Sequence, residues 1–124
     1  MHELSVCQAL LDQVALIANQ HRATNVANIT VQIGPLSGVE SGLLAQAFPL
    51  ARAGTIAEAA QLAIEPTPVR VHCDTCGAET DAAVNRLLCG ACGDYRTYLV
   101  SGDELLLVSV ELITSSEQEI SRNA

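Results

Sequence analysis

Four of the five cysteines fall in two pairs, Cys73-x-x-Cys76 and Cys89-x-x-Cys92, separated by twelve residues. No other feature constrains the fold as much. A Cys-x-x-Cys pair presents two sulfurs to one ion, and two such pairs supply the four donors of a closed tetrahedral zinc site. Each pair is followed by a glycine, Gly77 and Gly93. Glycine enters left-handed backbone without steric cost, so the chain can turn there and aim amides at the sulfurs, which stabilises thiolate charge. A site with four protein ligands has no open position, so its metal supplies folding free energy and activates no water. Cys73, Cys76, Cys89 and Cys92 are therefore the candidate ligands of a structural zinc. Other chemistries share the pattern. Two disulfides need an oxidising compartment. A redox pair sits at a helix start in a thioredoxin-like unit, which the surroundings do not resemble. A rubredoxin-like iron site uses the same ligands, but few aromatic residues lie nearby.

The remaining chain alternates helical and strand patterns. Over residues 3–21, Leu4, Cys7, Leu11, Val14 and Ala18 form an apolar helical stripe. Residues 26–33 alternate, with Ile29, Val31 and Ile33 on one face of a half-buried strand. A turn at 34–38 leads into a second helix from about Val39, which Pro49 should kink or end because it lacks an amide proton. Thr55 and Glu58 have capping-box spacing for one helical turn. Strand signals at Leu62, Ile64, Val69 and Val71 are interrupted by Pro66 and Pro68. Residues 104–113 are an apolar, β-branched run long enough for a central strand. The expectation is an α+β fold: a small α/β domain, two helices on a three-stranded sheet, with an inserted zinc-ribbon-like module. The domain would comprise 1–68 plus 102–116, the module 69–101, and a flexible tail 117–124.

Charge narrows the partners. Fourteen Asp+Glu outweigh six basic residues, all Arg and scattered, giving a net charge of -8. Phosphate neutralisation needs a basic patch, so a nucleic-acid role is not expected. No run approaches the about 20 apolar residues of a membrane span, and Met1-His2-Glu3 lacks the basic start of a secretory signal. The expectation is a cytoplasmic protein with reduced thiols and no membrane partner. No nucleophile–base–acid set, phosphate loop or inward carboxylate pair is visible, so no enzymatic activity is expected. Cys7, on the apolar stripe, reads as a buried inert thiol. His72 beside Cys73 reads as an exposed histidine or as an outer partner of the site. His21 reads as a partner of helix-terminal carbonyls, and Asn28-Ile29-Thr30 is a glycosylation sequon in form only.

His2 is the unusual residue. The Met1 amine, the His2 amide and the His2 imidazole can close fused chelate rings on one ion, with the Glu3 backbone amide as a fourth nitrogen. Nitrogen-rich planar coordination favours nickel(II) or copper(II) over zinc. Methionine is retained when the second residue is as large as histidine. The plain alternative is an N-terminal histidine that binds nothing.

Met1-His2-Glu3-Leu4-Ser5, the stretch Ile33-Gly34-Pro35-Leu36-Ser37-Gly38-Val39-Glu40, the stretch Gly54-Thr55-Ile56-Ala57-Glu58 and the two cysteine pairs together resemble the HypA/HybF family of nickel metallochaperones. The resemblance runs in order from residue 1 to about 113, and Pro49 departs from it. It implies nickel(II) at His2, with the Met1 amine and Glu3 amide, and zinc at Cys73, Cys76, Cys89 and Cys92. It makes Glu40 a further candidate near the nickel, although Glu40 reads equally as a carboxylate at a helix start. It implies as partners a [NiFe] hydrogenase large-subunit precursor and a nickel-handling maturation GTPase, with a homodimer as an open expectation. The competing reading is a zinc-ribbon adaptor that carries no metal.

Overall fold

The chain's structure, a computed structural model, describes residues 2–114. Met1 and the segment expected as a tail, 117–124, lie outside the described residues. The fold is α+β. Helix α1 (Glu3–Gln20), strand β1 (Ala23–Ile33), helix α2 (Ser41–Arg52) and strand β2 (Gln61–Pro66) come first. Strands β3 (Arg70–Cys73), β4 (Glu79–Asp81) and β5 (Thr97–Ser101) carry the cysteine region, and β6 (Leu105–Thr114) follows it. They form two three-stranded sheets, ordered β2-β1-β6 and β4-β3-β5. In the second sheet β3 pairs antiparallel with both neighbours, Val71 lying opposite Thr80 and Leu99.

The residues group into two compact units. The first takes in the described residues up to Val31, then Glu40–Ile64, and then those from Leu107 on; the second takes in Gln32–Val39 and Glu65–Leu106. In the first, Cys7, Leu11, Val14 and Ala18 of α1 are buried, as the helical stripe requires, with Val26, Ile29 and Val31 of β1 and Leu44 and Phe48 of α2. Cys7 is 1% exposed, its thiol faces the Leu44 carbonyl at 3.5 Å, and burial pushes its pKa up. It is the buried thiol its place on the stripe suggests. His21 Nδ1 lies 2.9 Å from the Ile17 carbonyl, satisfying the end of α1. Asn28 Nδ2 donates to Glu111 Oε2 at 3.2 Å, an ordinary pair between strands.

Three expectations need correction. Helix α2 neither ends nor breaks at Pro49 but runs three residues further, to Arg52. The carbonyl deprived of its donor belongs to Ala45, which is exposed, so water can supply the missing bond. Arg52 then secures the helix end, with its guanidinium over the Phe48 ring at 5.6 Å and Nη1 donating to the Ala60 carbonyl at 2.6 Å. Thr55 does not open a helical turn. Its hydroxyl donates to the Arg52 carbonyl and accepts from the Ala57 amide at 3.1 Å, giving consecutive tight turns without a capping box. Strand β6 is an edge strand, because β1 occupies the centre with β2 and β6 as its two neighbours.

The second unit closes where two glycines cross. The Gly34 amide donates to the Glu104 carbonyl at 2.8 Å and the Leu36 amide to the Gly102 carbonyl at 2.7 Å. A Cβ on Gly34 would stand 2.1 Å from the Gly102 carbonyl oxygen, and that oxygen belongs to backbone that cannot swing aside. Glu104 secures the same corner by accepting from Thr67 Oγ1 at 2.7 Å and the Gly102 amide at 2.8 Å. The Thr67 hydroxyl, and then the Gly102 amide, hold its pKa below the ordinary 4.5.

Gly34→Ala is therefore expected to lower stability by about 2–4 kcal/mol in denaturant unfolding, the range of severe overpacking; a loss below about 0.5 kcal/mol would show that the crossing relaxes freely. Because the Glu104 pKa is depressed in the folded state, its contribution is present above 4.5 and fades as pH falls through the folded value. The stability difference between wild type and Glu104→Gln should therefore shrink on acidification below that point, measured by unfolding at stepped pH.

Candidate metal centres

The four paired cysteines converge. Their sulfurs all lie within 4.8 Å of one another. Between the pairs, Cys73 Sγ is 3.6 Å from Cys92 Sγ, and Cys76 Sγ is 3.6 Å from Cys89 Sγ. A tetrahedron with metal–sulfur bonds of about 2.3 Å has edges of about 3.8 Å, so the cluster already has the size of a zinc tetrathiolate.

The two pairs repeat one loop. Cys73 Sγ accepts from the amides of Thr75 at 3.3 Å and Cys76 at 3.4 Å; Cys89 Sγ accepts from Ala91 at 3.3 Å and Cys92 at 3.4 Å. The Gly77 amide donates to the Cys73 carbonyl at 3.0 Å, and the Gly93 amide to the Cys89 carbonyl at 2.9 Å. Gly77 and Gly93 have φ of 76 and 80, the left-handed backbone this return requires. Each loop thus offers one buried sulfur, Cys73 or Cys89, and one exposed cysteine, Cys76 or Cys92.

The electrostatics explain why the cluster needs a cation. Without one, amide donation holds the Cys89 thiol down to about 6, led by the Cys92 amide and then the Ala91 amide. The Cys76 amide does the same for Cys73. At Cys92 the Asp94 amide also pulls downward, but the Cys73 sulfur, burial and the other two sulfurs outweigh it and push the thiol up to about 12. Cys76 is raised as well, its Ala78 amide opposed by the Cys89 sulfur and burial. Amide donation thus favours ionisation at Cys73 and Cys89, the neighbouring sulfurs oppose it at Cys76 and Cys92, and a cation would offset that opposition. The donor set, spacing and charge demand all fit a structural zinc. His72, beside this cluster in sequence, stacks on Tyr98 with centroids 5.0 Å apart.

At the other end of the chain, His2 precedes α1 with its side chain 58% exposed. The first helical bond runs from the Val6 amide to the His2 carbonyl at 3.0 Å, and Ser5 Oγ donates to the same carbonyl. The Glu3 side chain is the feature that sequence reading missed. Glu3 is 6% exposed, the one buried charged residue among those described. Its Oε2 accepts the Glu40 amide at 3.3 Å and lies 3.9 Å from His2 Nε2. The signal was available, since Glu3 stands four residues before Cys7 on the stripe that continues through Leu11, Val14 and Ala18. Glu40 is the N-cap of α2, its carboxylate accepting the Leu43 amide at 2.6 Å. The structure thus brings His2, Glu3 and Glu40 into one neighbourhood; Met1 lies outside the described residues.

A small α+β protein whose described residues bring four cysteine sulfurs within reach of one ion belongs to the class of metal-binding proteins. The family described as "Hydrogenase/urease nickel incorporation, metallochaperone, hypA" matches residues 1–112, and the chain belongs to that family. A hydrogenase maturation factor HypA of Nitrosospira multiformis is 50% identical over 115 residues, covering 93% of this chain and 100% of the relative. The corresponding factor of Aquifex aeolicus is 39% identical, covering 90% and 97%. The solution structure of the Ni metallochaperone HypA from Helicobacter pylori superposes with a TM-score of 0.68 at 26% identity, covering 93% of this chain and 100% of that one.

Removing the cluster's metal with a strong chelator should abolish the ordered signal of the segment that carries Tyr95 and Tyr98 in near-ultraviolet dichroism, and zinc should restore it. An unchanged spectrum after complete metal removal would show that this segment folds on its own.

Proposed function

We propose that this chain is a nickel carrier that binds Ni(II) at its N-terminus and delivers it to the large-subunit precursor of a [NiFe] hydrogenase during maturation. The observation that carries this reading is the position of His2: an exposed imidazole at the start of a helix, 3.9 Å from a carboxylate oxygen. The His2 imidazole, the Met1 amine and the His2 and Glu3 backbone amides supply the nitrogens. The amides of residues 2–5 precede the first helical bond, so using them need not dismantle the α1 ladder. Glu40, whose amide meets Glu3 Oε2, is a further candidate ligand; shifting its carboxylate onto the ion would cost α2 its cap. An exposed terminal chelate exchanges ligands readily, which suits transfer better than storage.

Zinc at Cys73, Cys76, Cys89 and Cys92 is the resident metal and nickel is the cargo. On this reading 1–68 plus 102–116 is the nickel-binding domain and 69–101 the zinc module. The reaction is carriage and not catalysis. The partners are the hydrogenase precursor and a nickel-handling GTPase, a second copy of the chain is a further candidate, and the compartment is the cytoplasm. No described helix is long and apolar enough to cross a membrane. The competing reading, a zinc-ribbon adaptor without cargo, draws on one observation: both tyrosines, Tyr95 and Tyr98, are exposed, at 72% and 55%. Exposed aromatics often anchor interfaces.

His2→Ala should keep the fold and one zinc per chain but lose stoichiometric nickel binding in calorimetry. Residues added before Met1 should do the same by blocking the amine. Undiminished nickel affinity in either variant would sink the N-terminal chelate and favour the adaptor.

A further inference from the structure

The two cysteine loops are equivalent in backbone but not in side chains. The position before the second cysteine is Thr75 in one loop and Ala91 in the other; the position after the glycine is Ala78 in one and Asp94 in the other. The two polar members meet. Thr75 Oγ1 donates to Asp94 Oδ2 at 2.5 Å, and Asp94 Oδ1 accepts the Arg96 amide at 3.1 Å. Asp94 is tied into the cluster by its backbone as well. Its carbonyl accepts the Cys89 amide at 2.9 Å, and its amide donates toward Cys92.

The position of this bond matters. Along β3 and β5 the loops are joined by strand pairing that ends at Cys73 opposite Thr97, followed by the Asp74 amide donating to the Arg96 carbonyl at 2.8 Å. Beyond that edge stand Cys76 and Cys92, the two exposed ligands. Thr75–Asp94 ties the loops together on that side. A rotation of one sulfur pair against the other would strain it.

Such a rotation is one on which nickel and zinc differ. Zinc, with a filled d shell, accepts a tetrahedron of thiolates without geometric preference, whereas nickel(II) leans toward a plane more than zinc does, most strongly with nitrogen and oxygen donors. Turning a tetrahedron of four sulfurs into a plane requires one Cys-x-x-Cys pair to rotate against the other. A cysteine cluster that is to keep zinc in the presence of nickel has to disfavour that rotation.

We propose that the Thr75–Asp94 bond is a latch between the two loops that holds the sulfurs tetrahedral and so excludes nickel from the cysteine site. The inference rests on the reading that this site holds zinc. The exchange it opposes replaces one dication with another on four retained thiolates, and no electrons move. Thr75 and Asp94 are positioning residues; neither touches the ion.

The test uses the full chain with its native N-terminus, after zinc content has been measured. Zinc displacement by excess nickel chloride is followed with a zinc-responsive dye and by thiolate-to-nickel charge-transfer absorbance. The N-terminal chelate has no thiolate and is silent in that absorbance. Thr75→Val and, independently, Asp94→Ala should speed nickel-driven displacement about tenfold, the lower end of effects for residues behind metal ligands. Displacement by cadmium, which accepts a tetrahedron, should change by less than about twofold on the same argument. Thr75→Ser keeps the hydroxyl and should behave as wild type. Equal acceleration by both metals, or by neither, would overturn the latch while leaving the zinc site intact. Wild-type protein without about one zinc per chain would instead overturn the reading beneath it.

Discussion

Like charge at short range governs the second unit. Four sulfurs within 4.8 Å of one another cannot all ionise unaided. The fold lowers the barrier for two of them with paired amides and leaves the other two dependent on a cation. Short strands such as β4, of 3 residues, and long irregular stretches between them bury little apolar surface. Metal binding therefore stands in for a hydrophobic core there, and the sheet β4-β3-β5 serves mainly to bring two distant loops face to face.

The first unit obeys the opposite logic. Its stability lies in an apolar core beneath α1 and α2, and Glu3, the one buried charged residue among those described, is placed where α1 begins. The bond from the Glu40 amide to Glu3 joins the starts of both helices. His2 Nε2 lies 3.9 Å from the same carboxylate oxygen, beside the bond that links the two helix starts. A carboxylate at two helix N-termini is electrostatically favourable, so the arrangement is stable as well as exposed to the chain's first residues.

Much of this was legible in the sequence where the determinants are local. The cysteine spacing and following glycines specify the loops because ligand geometry and left-handed backbone are properties of a few consecutive residues. The α1 stripe holds for Cys7, Leu11, Val14 and Ala18 but not for Leu4, which is 37% exposed because Glu3 takes the buried position at that end. Glu3, on the same stripe, was noticed only for its backbone because a carboxylate is ordinarily assigned to solvent. Pro49 points to a kink or an end of α2, yet the helix continues to Arg52, because a proline near a helix C-terminus costs little when the orphaned carbonyl is exposed. Thr55 had the spacing of a capping box, but its hydroxyl found the Arg52 carbonyl first. The apolar run in β6 suggested a central strand. Strand order depends on which segments compete for β1, and no local pattern records that competition. The crossing of Gly34 and Gly102 joins residues far apart in sequence and was invisible for the same reason.

The stacking of Tyr98 on His72 has an optical corollary. The chain has no Trp, and both of its Tyr residues, Tyr95 and Tyr98, belong to the unit that carries the cysteines. Its intrinsic ultraviolet emission is therefore a private channel for that unit. An event confined to His2 would leave the emission dark to it, and any change in tyrosine signal on loading the N-terminus would be direct evidence that the two ends of the chain converse.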